Sequence, residues 1–145
     1  MTADRNSDAA IAEILQQARV FAVVGASNKP DRPSYHVMET LIERGYTVHP
    51  VNPGLAGQDI LGRKVYATLV EVPAPADVID IFRNSADALG VVRDAIALKD
   101  KLGIKVIWMQ LGVINGQAAV EAEAAGLTAV MDRCPRIELA RLARG

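Results

Sequence analysis

The ten residues Gly25-Ala26-Ser27-Asn28-Lys29-Pro30-Asp31-Arg32-Pro33-Ser34 carry the groups that an anionic ligand needs. Gly25 lets the chain turn sharply and lets a ligand approach the backbone closely. A helix starting within this run points its first N–H groups, and the positive end of its dipole, into the same space. Ala26 keeps the turn small, Ser27 and Ser34 add hydroxyls, and Lys29 and Arg32 add charge. The chemistry is phosphate binding. Two common phosphate ligands nevertheless fit poorly. A dinucleotide fingerprint needs G-x-G-x-x-G, yet the second and third glycine positions hold Ser27 and Pro30. It also needs an acid after the second strand to hold ribose hydroxyls, and Val51-Asn52-Pro53 stands there. No Gly-Lys-Ser/Thr occurs, so a Walker-type nucleotide loop is absent.

Other reactive residue types give less. His36 and His49 are the only histidines, and neither has acidic or cysteine partners at ligand spacing, so no metal site is expected. His36 reads as a partly exposed helical residue and His49 as a structural one within a strand. Cys134 is the only cysteine, which excludes an intrachain disulfide. It precedes a helix that Pro135 opens, a place that can lower a thiol pKa, but a structural role is the simpler reading. Asp77 and Asp80 lie three apart on a strand and face opposite sides, so they form no carboxylate pair. Asp80, near the strand's end, is a minor site candidate. Ser27 lacks the Gly-x-Ser-x-Gly context of a nucleophile elbow. With no base–nucleophile pair in sight, no intrinsic catalysis is expected. Trp108 reads as core.

The elements that position these residues follow from hydrophobic periodicity. Asn6-Ser7-Asp8 can cap a helix holding Ile11, Ile14, Leu15 and Ala18 and ending near Arg19. Five apolar runs read as strands: 20–24, 46–51, 77–82, 105–111 and 127–131. Between them stand a helix capped by Ser34 and stopped at Gly45, a long helix capped by Asn84 or Ser85 and stopped at Gly103, and a helix at 116–125. Pro135 opens a closing helix. Residues 55–75, with two glycines and two prolines, read as an irregular connection with a short strand at 64–66 and a helical turn near 68–71. Alternating strands and helices imply right-handed crossovers: an α/β, doubly wound Rossmann-like parallel sheet with helices on both faces. The expected strand order is 3-2-1-4-5, with ligand contacts at the C-terminal ends of the strands.

The bulk numbers agree with one domain spanning 1–145, in which 1–19 packs as an N-terminal helix. The chain has 145 residues, half of them hydrophobic and only 4% aromatic, the profile of aliphatic helices on a buried parallel sheet. Net charge is −1 and no basic stretch stands out, which argues against nucleic acid as a main partner. No apolar run reaches the length of a membrane span and the start lacks a secretory signal, so a cytoplasmic protein is expected.

The run Val23-Val24-Gly25-Ala26-Ser27 through Arg32-Pro33-Ser34 resembles the first loop of the small CoA-binding protein family, which is similar to the CoA-binding domain of the succinyl-CoA synthetase alpha subunit. Val51-Asn52-Pro53, Gly62 to Tyr66, Asp77 to Arg83, Trp108 to Val113 and Asp132-Arg133-Cys134 match in the same order, covering roughly 20–142. The resemblance implies coenzyme A or an acyl-CoA as ligand. It implies that the loop from Gly25 to Ser34 holds the pyrophosphate, that Val51, Asn52 and Pro53 line the adenine and ribose, that Phe82 and Arg83 border the nucleotide or its 3′-phosphate, and that Gln110 and Gly112 lie near the pantetheine arm. The alternative is a nicotinamide-nucleotide-binding oxidoreductase or redox-sensing protein, which the missing glycines and ribose acid oppose. An interaction module that has lost its ligand is a third reading. Retention of Gly25, Ser27, Arg32, Ser34 and Asn52-Pro53 together speaks against it.

Overall fold

A computed structural model describes residues 7–142. Its elements run α1 (Asp8–Gln17), β1 (Val20–Val24), α2 (Pro33–Glu43), β2 (Thr47–Val51), β3 (Asp59–Ile60), β4 (Arg63–Lys64), β5 (Val78–Ile81), α3 (Ser85–Leu102), β6 (Val106–Met109), α4 (Gly116–Ala124), β7 (Thr128–Val130) and α5 (Pro135–Leu142). Five of the seven strands form one parallel sheet; β3 and β4 form a small antiparallel pair. Single 3-10 turns at Pro53–Leu55 and Leu69–Glu71 interrupt the connection between β2 and β5.

The α/β Rossmann-like class is as expected, but the strand order is not. The sheet runs β2-β1-β5-β6-β7. Counting the five main strands, that is 2-1-3-4-5 where 3-2-1-4-5 was expected. Two local features explain it. The β5 strand, Val-Ile-Asp-Ile, is buried at all four positions, which suits a strand with a neighbour on each side. The β2 strand carries Pro50, and proline, having no N–H, is confined to sheet edges. The Pro50 carbonyl faces that outer edge and accepts the Tyr66 N–H at 3.0 Å. Among the described residues, a single bridge between Val51 and Tyr66, beside the short β4, takes the place of a further strand of this sheet.

Side chains alternate across the sheet, as strand geometry requires. Ala22, Val24, Ile79, Ile81, Ile107 and Met109 pack beneath α3 and α4. Phe21, Val23, Val78, Val106 and Trp108 pack beneath α1, α2 and α5. Asparagine side chains at positions 84 and 115 accept the N–H groups of Asp87 and Ala118, starting α3 and α4. Gly103 ends α3 in the left-handed conformation. At the start of β1, the Asp77 carboxylate accepts two backbone N–H groups, Arg19 at 2.7 Å and Val20 at 2.9 Å. Asp77, which makes no carboxylate pair with Asp80, thus fastens β1 to the approach of β5.

The start of α2 differs from expectation. Arg32 occupies the N-cap position without a side-chain cap, Pro33 opens the helix, and Ser34 lies one residue inside. Proline at the first helical position loses no bond and is preset in φ.

Candidate functional site

The observed order places the switch point between β1 and β5, where the loop after β1 leaves the sheet. Gly25 stands at that exit with φ +92°, which favours glycine. A Cβ there would lie 2.7 Å from the Phe82 carbonyl oxygen. So Gly25 is required by the close passage of the loop over the end of β5 as well as by the turn. The Gly25 and Ala26 N–H groups both reach the Val51 carbonyl, and the Asn52 amide donates to the Ala26 carbonyl at 2.8 Å. Val51, Asn52, Gly25, Ala26 and Phe82 are thereby brought together. Pro53 follows as the first residue of an exposed turn, whose Gly54 N–H donates to the Asn52 side-chain Oδ1 at 2.8 Å.

Inside the loop the two hydroxyls are braces. Ser34 Oγ, buried, accepts the Ser27 N–H at 3.1 Å, and Ser27 Oγ accepts the Lys29 N–H at 3.1 Å. These bonds tie the loop to the first turn of α2. Among the described residues, the N–H groups of Asn28, Asp31 and Ser34 have no protein acceptor. Lys29 and Arg32 are exposed, and neither side chain has an acidic partner among the described residues. Free donors and cations at a helix start have the chemistry of an anion seat. Arg83 is different: its guanidinium already meets Asp87 at 3.0 Å.

Two strands along, a second group of residues is tied together. Gln110 to Val113 form a tight turn closed by the Val113 N–H on the Gln110 carbonyl at 2.7 Å, with Gly112 at φ +88°. This is the φ that the third position of a type II turn demands. The Gly112 N–H reaches the Asp132 carboxylate at 2.8 Å, and Ser85 Oγ accepts the Ile114 N–H at 2.9 Å. The Asn115 amide donates to the Ser85 carbonyl at 2.9 Å. Asp132 itself adopts φ +63°. Sequence reading placed Gln110 and Gly112 at this edge but did not find Ser85, Asn115 and Asp132 as the residues that fix them. Only their position at strand ends marked them.

Behind these loops lie two buried polar side chains without partners. Asp80, 0% exposed, sits on β5 between Val23 and Trp108, and neither carboxyl oxygen is hydrogen-bonded. Burial pushes its pKa well above the ordinary carboxylate range. Gln110 is also buried, and its Oε1 lacks a donor. Trp108 is core, as read, and its indole N–H donates to the Arg133 carbonyl at 2.8 Å. His36 is exposed on α2. His49 is half-buried edge-to-face against Tyr66, and burial lowers its pKa. Cys134 is buried just before α5. Among the described residues no cluster of His, Cys, Asp or Glu is placed to hold a metal, and no helix is long and apolar enough to cross a membrane.

Fold and site together define a Rossmann-like α/β protein whose glycine-turned loop leaves the sheet at its switch point. The chain belongs to the CoA binding domain family, whose model matches residues 19–140. It is 35% identical over 131 residues to the uncharacterized protein YneT of Bacillus subtilis, covering 90% of this chain and 93% of that one. A solved structure of a hypothetical protein from Pyrococcus horikoshii superposes with a TM-score of 0.86 at 38% identity, covering 99% of each chain. The alpha subunit of ADP-forming acetate–CoA ligase I from Pyrococcus furiosus is 40% identical over 70 residues. That match covers 46% of this chain and 15% of the ligase subunit.

Coenzyme A fits the residues present on their chemistry. It carries phosphates for the free N–H groups and for Lys29 and Arg32. The half-buried Asn52 and the exposed Pro53 beside the loop offer one polar and one flat apolar contact of the kind a nucleoside takes, while the Val51 side chain is buried in the core beneath them.

Proposed function

We propose that the protein binds coenzyme A or an acyl-CoA along the C-terminal edge of its sheet, without catalysing a reaction of its own. The loop from Gly25 to Ser34 takes the pyrophosphate on its own N–H groups and those of the first turn of α2. Lys29 and Arg32 neutralise its charge. Val51, Asn52 and Pro53 hold the adenosine, and Phe82 and Arg83 flank it. Arg83 serves the 3′-phosphate by exchanging its contact with Asp87 for the ligand. Gln110 and Gly112 lie along the pantetheine arm. The observation that carries this reading is the anion seat: unpaired donors and cations at the helix start beside the switch point, in a chain of this family.

Thermal melting of the purified protein with CoA, dephospho-CoA, NAD or ATP tests it. A ligand at a hundred times its dissociation constant adds about 2.7 kcal/mol. CoA is expected to raise the midpoint most, with dephospho-CoA behind it. A rise with NAD and none with CoA overturns the reading.

A further inference from the structure

Large apolar side chains held rigidly in water need a reason. In the turn that follows β6, Leu111 is 58% exposed and Ile114 54% exposed. Neither is loose. Val113 between them is buried and anchors the loop, the Gly112 N–H is fixed by Asp132, and the Ile114 N–H is fixed by Ser85. Gly112 forms the corner between the two, with nothing within 4 Å of where its Cβ would stand, so open space lies at the turn. The result is a pinned aliphatic lip at the C-terminal edge of the sheet.

The area limits what covers it. Two half-exposed aliphatic side chains offer on the order of 200 Å², against roughly 800 Å² per partner in a stable protein–protein interface. The other strongly exposed apolar residues, Val70, Val120 and Ile137, sit on other elements. A second protein chain has too little to hold here; a single alkyl chain has enough. The sheet order gives the direction. The anion seat lies at β1 and its nucleoside side at β2, so the rest of the ligand runs the other way, over β5 toward β6. At the usual spacing between strands, β6 is about 10 Å from β1. A pantetheine arm spans that distance and delivers its sulfur to the Leu111–Ile114 turn.

We propose that Leu111 and Ile114 receive the acyl chain of a CoA thioester, so that the preferred ligand is an acyl-CoA with an aliphatic chain of several carbons. The inference rests on the CoA reading above. Calorimetric titration of the intact protein with CoA, acetyl-CoA and octanoyl-CoA, the last kept below its micellar range, tests it. Octanoyl-CoA is expected to bind at least tenfold more tightly than CoA, with acetyl-CoA close to CoA. The double substitution Leu111→Ser, Ile114→Ser removes exposed groups only, and an unchanged melting midpoint checks that it folds. It is expected to bring octanoyl-CoA back to the affinity of CoA. Equal affinities in the unaltered protein overturn the lip while leaving the CoA reading standing. A tenfold gain that survives the double substitution overturns it too, as does self-association that the double substitution abolishes without changing the acyl preference. Failure to bind either thioester or CoA overturns both readings.

Discussion

Replacing Asp80 by asparagine tests what a buried, unpartnered acid costs this fold. Asp80 is wholly enclosed by β1, β6 and the layer above them, with Val23 and Trp108 as its strand neighbours. Burial lifts its pKa in the folded protein well above the value near 4 that it has when unfolded. Below the unfolded value both states are protonated and pH has no effect through this group. Above it the unfolded chain releases the proton while the folded protein keeps it. The folded state then binds more protons, so stability falls as pH rises, by about 1.4 kcal/mol per pH unit. The fall stops once pH passes the folded pKa. Asparagine has nearly the same shape and no such equilibrium. The difference in urea unfolding free energy, variant minus wild type, is therefore expected to grow by about 1.4 kcal/mol per unit upward from pH 4.5, then level off. Taking the difference cancels the other titrating groups, including Asp8, held below its ordinary range by the Arg141 guanidinium. A difference that is flat from pH 4.5 to 8 would refute the reasoning, because it would mean that Asp80 ionises normally inside the fold.

Two further substitutions probe the loop. Gly25→Ala forces a Cβ to 2.7 Å from the Phe82 carbonyl in a left-handed backbone, and is expected to lose about 2 kcal/mol or more of stability in urea unfolding. A loss under 0.5 kcal/mol would show that the loop passes β5 less closely. Arg32→Ala removes an exposed, unpaired cation from the N-cap position; CoA affinity measured by titration should fall about tenfold at low salt while the melting midpoint stays put. Unchanged affinity would remove Arg32 from the site.

Much of this molecule can be read from residue pattern. The helix stops at Gly45 and Gly103, the caps at Ser7 and Asn84, and the opening of α5 at Pro135 all follow local rules, because a cap or a left-handed residue depends only on its neighbours. Strand order is not local. It went astray because a five-strand periodicity fits more than one order, although Pro50 carried the needed hint: a strand lacking an N–H belongs at an edge. The roles of Ser34 and Asp77 were hidden for a related reason. A serine near a helix start reads as a cap, and only the folded loop shows it accepting the Ser27 N–H from seven residues back. An acid at the start of a strand shows no partner in the sequence, and only the pairing of β1 with β5 brings two backbone donors to it from 57 and 58 residues away. The candidate site was legible to the extent that it sits at strand ends. What fixes Gly112 and Ile114 was not, since Asp132 and Ser85 reach them across 20 and 29 residues.

The edge that Pro50 and Tyr66 form has a consequence for how this chain behaves among others. An open strand edge is a template on which foreign strands can grow, and it is a common start of aggregation. Here one margin of the sheet lacks a donor at Pro50 and has its nearest acceptor already taken by Tyr66, and the other margin, β7, is three residues long. Neither offers a run of free ladder positions. A neighbouring copy's strand therefore finds few places to pair at either margin of the sheet.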